Sequence, residues 1–240
     1  MNQSQSKPTT SGANDIYFDE TYLNNNPTWH VEDSPWKAQQ IQKMLTKHNI
    51  NAHTICEVGC GAGEILKQLS TKHPTKTFFG YELSPQAFEL CKTRQSENVK
   101  YFMENLLDRE EYFDILLCID VFEHVEDYIG FLKQLKPKAS FQIFHIPIDI
   151  TVNSVLRSTM MNTRHSAGHL HYFTPETALA TLKDSGYEIV DYFFTPFFND
   201  LPEKTIKGKF AKLPRKLLHG ISPKLMVTLL GGCSLLVLTK

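Results

Sequence analysis

An α/β fold built on a parallel sheet is what this chain predicts, and three observations predict it. Short apolar runs rich in β-branched residues alternate with amphipathic segments along most of its 240 residues. The first such run ends in a glycine-rich turn, Glu57-Val-Gly-Cys-Gly-Ala-Gly63, and the second ends in an acid, Glu82. Strands that alternate with helices close into a parallel sheet through right-handed crossovers.

Each element has its own local signal. Ser34-Pro35 reads as an N-cap with proline at the first helical position, opening a helix to about His48. Strands are predicted near 53–58, 77–82, 98–102, 113–119 and 140–146, with helices near 63–72, 85–95 and 126–135 between them. Thr174-Pro175 opens a further helix that Gly186 ends, Tyr187 to Phe194 alternates as a sixth strand, and Ser234 to Thr239 forms a seventh. The apolar stretch Leu225 to Leu238 is 14 residues long and broken by Gly231-Gly232. A spanning helix needs about 18 to 20 residues, so a helix end, a glycine turn and a buried strand are predicted there instead.

The glycine turn sits where a strand hands over to a helix. Gly59, Gly61 and Gly63 can take positive φ and let a ligand lie against bare backbone, facing the unpaired N–H groups of the following helix. A dinucleotide fingerprint places its third glycine five positions after the first. Here Gly63 follows Gly59 by four, which argues against a nicotinamide cofactor. Glu82 comes 23 positions after Gly59, close to the ~20 at which an acid meets ribose hydroxyls. A carboxylate there accepts from both hydroxyls and repels a 2′-phosphate.

On these residues the chain resembles the class I S-adenosylmethionine-dependent methyltransferases of the small-molecule type. Glu57 to Gly63 is similar to that family's first motif, Tyr81-Glu-Leu83 to its ribose-binding acid, and Phe113 to Val125 to its fourth-strand motif. Met103-Glu-Asn-Leu106 lies where the adenine edge is held, with Asn105 in place of the usual Asp. The resemblance implies a Rossmann-like seven-stranded sheet with helices on both faces, its last strand antiparallel between the fifth and sixth. It implies S-adenosyl-L-methionine as cofactor, held by Glu57, Gly59, Cys60, Gly61 and Gly63 at the methionine part and Glu82 at the ribose. Leu83, Asn105 and Leu106 would meet the adenine, and Ile119 and Asp120 the methyl end.

Composition fits a soluble α/β protein, with 41% hydrophobic residues and a formal net charge of −1. That charge gives no broad electrostatic footprint for nucleic acid, so a small-molecule acceptor is expected rather than DNA or tRNA. The five cysteines form no C-x-x-C pair and lie mostly in apolar runs, as expected in a reducing, cytoplasmic compartment. Residues 1–14 are polar with no apolar core for a secretory signal, and are expected to be a disordered tail ahead of one domain spanning 15–240.

Two stretches exceed plain connections. Residues 147–173 carry His165-Ser-Ala-Gly-His-Leu-His-Tyr-Phe173, and residues 196–224 carry Lys204, Lys207, Lys209, Lys212, Arg215, Lys216 and Lys224. With Trp29 to Trp36 they are expected to cap the acceptor site. The basic segment reads as a solvated helix face or as one that draws in an acidic, phosphorylated or membrane-bound acceptor.

Methyl transfer to a hydroxyl needs a base, and a histidine suits the task. His145 at the end of the fifth strand and His171 in the cap are the candidates, and O-methylation is the expected reaction. A catalytically silent cofactor-binding subunit is the alternative. Asp120-Val-Phe-Glu-His124 resembles a pattern associated with a divalent metal in some quinone-precursor O-methyltransferases, and His165, His169 and His171 could suggest zinc. Helix capping accounts for the first, a mobile aromatic loop is a poor scaffold for the second, and no metal is expected.

Overall fold

The structure, a computed structural model, describes residues 15–17, 21–200 and 206–240. The tail expected at 1–14 and Lys204 lie outside the described residues. Seven strands, β1 (Thr54–Val58), β2 (Thr77–Tyr81), β3 (Val99–Phe102), β4 (Phe113–Ile119), β5 (Ala139–Pro147), β6 (Ile189–Thr195) and β7 (Ser234–Thr239), form one sheet in the order β3-β2-β1-β4-β5-β7-β6. β7 runs antiparallel to both β5 and β6, and every other pairing is parallel. The implied strand order and the antiparallel last strand are both present.

The sheet is buried on both faces because consecutive apolar side chains point opposite ways. Ile55, Ile115, Leu117, Ile143, Leu236 and Leu238 pack on one face. There they meet Ile41, Met44 and Leu45 of α2 (Ser34–Lys47) and Leu66 and Leu69 of α3 (Glu64–Lys72), after the short α1 (Thr21–Asn25). Cys56, Leu116, Cys118, Phe144, Ile146, Leu235 and Val237 fill the other face. Behind α4 (Pro85–Lys92) in sequence, that face is covered by α5 (Tyr128–Leu135) and two later helices.

The first insertion folds into α6 (Val152–Leu156) and α7 (Met160–Ala167), and a capping box between Thr151 and Ser154 starts α6. Another capping box, Thr174 with Thr177, starts α8 (Pro175–Asp184) at the predicted proline. Beyond β6 come α9 (Phe197–Asp200), α10 (Ile206–Ile221) and α11 (Pro223–Leu230). Ala178 and Leu182 of α8 and Met226 and Val227 of α11 join the second face of the core. Among the described residues no helix is long and apolar enough to cross a membrane.

Two local readings differ from the sequence expectation. Ser34 is the first residue of α2, with Asp33 as its N-cap making no side-chain bond, because a 3-10 turn at Val31–Asp33 runs straight into the helix. Tyr187 precedes β6; its ring is buried against Phe144 and its hydroxyl donates to the Leu132 carbonyl at 2.8 Å.

All five cysteines are free and buried. Burial pushes the thiols of Cys56, Cys60 and Cys118 well above their ordinary range and that of Cys233 up to about 12. In native protein at about pH 8, a chromogenic disulfide reagent should therefore label none of them within minutes, and all five once guanidinium unfolds the chain.

Candidate functional site

The sheet order reverses between β1 and β4, and the crevice outside the carboxyl ends of these strands is where open α/β sheets bind ligands. Three turns meet there, after β1, β2 and β4.

The turn after β1 takes positive φ at Gly59, Gly61 and Gly63, but the three glycines do different work. A Cβ on Gly59 would stand 2.9 Å from a methyl of Val121, and one on Gly63 2.6 Å from the Tyr101 ring, whose hydroxyl donates to the Gly63 carbonyl at 2.6 Å. These two let the turn pack against its neighbours. Gly61 alone presents open backbone, with the Trp29 ring 3.9 Å from the Cβ it lacks. Cys60 points inward, its sulfur 3.9 Å from that of Cys91, so only its main chain reaches the crevice.

Glu82 is held by main chain. One carboxylate oxygen accepts from Gly61 N–H at 2.8 Å, and the other from the N–H groups of Leu83 and Ser84, both at 2.8 Å. Burial pushes its carboxyl up and those three bonds pull against it. Three of the carboxylate's roughly four acceptor sites are thereby taken, and the one left, on the oxygen bonded to Gly61, is open to a sugar hydroxyl. Leu83 and Met103, which follow the adjacent strands β2 and β3, are half exposed, as an apolar base-binding pair would be. Asn105 uses its side-chain oxygen to cap the turn at Leu106–Asp108, leaving its amide nitrogen free of that bond, and Leu106 is in the core.

Two buried polar atoms near the glycine turn lack partners, Glu57 Oε2 and Trp29 Nε1. Burial pushes the Glu57 carboxyl well up, with the Lys37 charge opposing it. An acceptor and a donor left unpaired beside open main chain fit the ammonium and carboxylate of an amino-acid-bearing ligand.

Ile119 ends β4 and is buried, and Asp120 follows it with φ +54. Its carboxylate accepts from His145 Nδ1 at 2.6 Å and from Lys37 Nζ at 2.7 Å. Burial works to raise its carboxyl, yet the His145 and Lys37 charges win and hold it well below the usual carboxylate range. His145 Nε2 in turn lies 3.0 Å from Thr195 Oγ1, which also reaches the Ser234 carbonyl at 3.2 Å. Both ring nitrogens of His145 are engaged, so whichever tautomer it adopts, no lone pair is left for an acceptor. His171 Nε2 donates to the Val125 carbonyl at 2.9 Å, which leaves Nδ1 as the basic nitrogen, and its ring packs 4.3 Å from that of Tyr128. The two candidates bond to different groups, His145 to Asp120 and Thr195 and His171 to the Val125 carbonyl.

Beside Asp120 lies a group that sequence reasoning set aside. Glu123 is completely buried with neither carboxylate oxygen bonded, and its main-chain carbonyl accepts from Leu170 and His171 N–H. Burial, then Asp120, push its carboxyl well up. The N-terminal segment roofs the crevice: Tyr17, Tyr22 and Trp29 pack on one another with tilted rings, Tyr17 Oη donates to the Ala167 carbonyl at 2.8 Å, and Asn26 Nδ2 to the Ser166 carbonyl at 3.1 Å. The N-terminal segment and residues 147–173 thus bond to each other, while the contacts of Lys37 and Tyr17 are not visible in the sequence because their partners lie 83 and 107 residues away.

Fold and crevice define a class I S-adenosylmethionine-dependent methyltransferase, with S-adenosylmethionine as the cofactor its unpaired groups, bare Gly61 and Glu82 fit. The chain belongs to the Methyltransferase domain family, whose profile matches residues 37–192. It is 24% identical to the human tRNA N(3)-cytidine methyltransferase METTL6, over 85% of this chain and 83% of that protein. It is 28% identical to a ubiquinone biosynthesis O-methyltransferase of Rickettsia felis, over 42% of this chain and 44% of that one. Among solved structures it is similar to the magnesium protoporphyrin IX methyltransferase of Synechocystis PCC 6803, with a TM-score of 0.61 and 14% identity over 93% of this chain and 96% of that one.

Asp120→Asn would strand the Lys37 ammonium without its counter-charge, and urea unfolding should show a loss of roughly 3–5 kcal/mol. Because the folded-state carboxyl is held low, its contribution is fully present above the unfolded value of about 3.9 and fades only as pH falls through the lower folded value. The gap between wild type and variant should persist from neutral pH to about pH 4 and narrow below it.

Proposed function

We propose that the protein methylates a hydroxyl oxygen of a small-molecule acceptor. The observations that support this reading are the enclosed acceptor side, which Tyr17 and Asn26 close by bonding to Ala167 and Ser166 of the cap, and His171, whose Nδ1 is left as an acceptor by the bond its Nε2 makes. When bound, S-adenosylmethionine supplies an electrophilic methyl carbon on a sulfonium. The chain's own part is to hold the acceptor in line, keep water out and take the hydroxyl proton on His171 Nδ1 as the new C–O bond forms and the C–S bond breaks. Asp120, tied to Lys37 and His145, would fix the wall beside the methyl group. A cytoplasmic, reducing setting belongs to the same reading, supported by five unpaired thiols.

A tRNA acceptor is the second reading, favoured by the likeness to METTL6 over most of the chain. Transfer of radiolabelled methyl groups, offered to a panel of phenols, sugars and lipid-extractable alcohols and separately to total tRNA, decides between them. Label in the small-molecule fraction is expected; label in tRNA alone would overturn the proposal. With the acceptor in hand, His171→Ala should lower turnover by about 10²- to 10⁴-fold while leaving affinity for S-adenosylhomocysteine unchanged by calorimetry.

A separate surface bears on where the protein works. Leu213, Leu217 and Ile221 lie at helical spacing along α10 and are 64%, 63% and 80% exposed, continuing to Leu225 of α11. Lys212, Lys216 and Lys224 flank this stripe. An exposed apolar face edged by lysines suits an anionic bilayer surface. The protein should co-sediment with vesicles containing phosphatidylserine and not with purely zwitterionic ones, and Leu217→Glu with Ile221→Glu should abolish it; equal binding to both vesicle types would sink this membrane reading.

A further inference from the structure

Methyl transfer by the groups above makes no use of Glu123, yet its carboxylate sits fully buried with both oxygens bare. A carboxyl group removed from water without partners is strongly disfavoured unless something meets it. Two imidazoles face it. His124 Nε2 stands 3.8 Å from Glu123 Oε1, and the His169 ring lies edge-on to that of His124 with centroids 4.9 Å apart.

The far nitrogens of both rings are spoken for. His124 Nδ1 is 2.8 Å from Tyr17 Oη and 3.2 Å from the Gly168 carbonyl. The Tyr17 hydroxyl gives its own proton to the Ala167 carbonyl, so Nδ1 of His124 is the N–H. His169 Nδ1 meets Asp149 Oδ2 at 2.6 Å, and a carboxylate only accepts. Each ring is thereby fixed with its lone pair on Nε2. The His124 lone pair lies beside the bare carboxylate, and one ligand atom from each of Glu123, His124 and His169 lies within 4.8 Å of the others. An imidazole that donates its far N–H to a carbonyl or carboxylate is how metal-ligating histidines are held.

We propose that Glu123, His124 and His169 bind a divalent transition-metal ion of the zinc type. Two imidazole nitrogens and one carboxylate oxygen suit zinc and its neighbours, whereas magnesium and calcium take all-oxygen sites. Ligand atoms around a tetrahedral ion with bonds of ~2.0–2.1 Å lie roughly 3.4 Å apart, so from the 4.8 Å limit the set must draw in by up to about 1.4 Å, within reach of side-chain torsions. The site is covered without being sealed, since the His124 and His169 side chains keep 16% and 10% of their surface exposed.

This is a different set from either metal pattern visible in the sequence. Asp120 cannot join Glu123 and His124, because its two oxygens are engaged by His145 and Lys37. His165 is exposed and His171 donates to Val125, so of the three cap histidines only His169 arrives. Three protein ligands leave a position open. Resting on the O-methyl reading, that position would take the acceptor's hydroxyl and ease its loss of a proton; the binding of the ion does not rest on it.

The test uses untagged full-length protein stripped with chelator and titrated with Zn²⁺ by calorimetry, with Mg²⁺ as competitor and Co²⁺ absorption as the report on ligands. One ion per chain is expected, not displaced by Mg²⁺, with visible cobalt bands. Asp149→Asn should weaken zinc binding about 10- to 100-fold by releasing the His169 ring, and Glu123→Gln and His169→Gln should each abolish stoichiometric uptake. S-adenosylhomocysteine binding retained by each variant shows that it is folded. No stoichiometric uptake by wild type, or uptake unchanged in both ligand variants, overturns the proposal. So does a Glu123→Gln variant more stable than wild type at every zinc concentration, which would mark a buried neutral acid. Zinc bound without small-molecule methylation would overturn the acceptor reading and leave the metal site standing.

Discussion

The carboxylate of Asp120 is the constraint from which the rest of the site follows. It lies where β4 ends, and from there it grips Lys37 of α2 and His145 of β5. His145 passes the connection to Thr195 at the end of β6, and Thr195 to the main chain of β7. Four strands and the first long helix are thus fastened at one edge of the crevice by a single chain of polar contacts. Asp120 also adopts φ +54, which costs a non-glycine residue about 1–3 kcal/mol. Aspartate is among the few side chains that tolerate that region, and its two charged partners offset the strain. The left-handed step turns the chain out of β4 into the 3-10 turn at Phe122–His124, which presents Glu123 and His124.

How much of this was legible depended on how local the cause was. The strand positions could be read because every residue from Ile55 to Val58 and from Ile115 to Ile119 is apolar or buried, and β7 matched its predicted limits at Ser234 and Thr239. Glu82 could be placed because glycine turn and acid belong to one βαβ unit of fixed length. The division of labour among the glycines could not, since it depends on Tyr101 and Val121 arriving from other strands. The fate of His145 was equally hidden. Its partners lie 25 and 50 residues away, and only the pairing of β4 with β5 and the arrival of β6 reveal that both nitrogens are used.

The same distinction separates Glu123 from the residues around it. Its sequence context, one residue after a 3-10 start, is that of a capping acid, and capping would leave the side chain wet. The fold instead buries it between Phe122 and two imidazoles, because Phe122 packs on Phe144 and Phe173 and drags the turn inward. The main chain of Glu123 then fixes Leu170 and His171 of the cap loop through two N–H bonds. Core packing at Phe122, the acid's burial and the placement of the cap loop are therefore linked through one short turn.

The cap carries the last step. Trp29 and His30 take consecutive left-handed conformations, φ +49 and +56, and this paired strain swings the indole over Gly61. Desolvation raises the Tyr17 and Tyr22 phenols, with acidic neighbours reinforcing it, so both remain neutral donors. A crevice floored by bare main chain and roofed by neutral aromatic rings has a low local dielectric, in which a dispersing sulfonium charge is favoured over a localised one. The acids at the acceptor end would be costly in such surroundings unless each had a cation. Asp120 has Lys37, Asp149 has the N–H of His169, and Glu123 has none among the described residues. Of these three acids Glu123 is the one left without a bonded partner, and ligand atoms of His124 and His169 lie within 4.8 Å of its carboxylate.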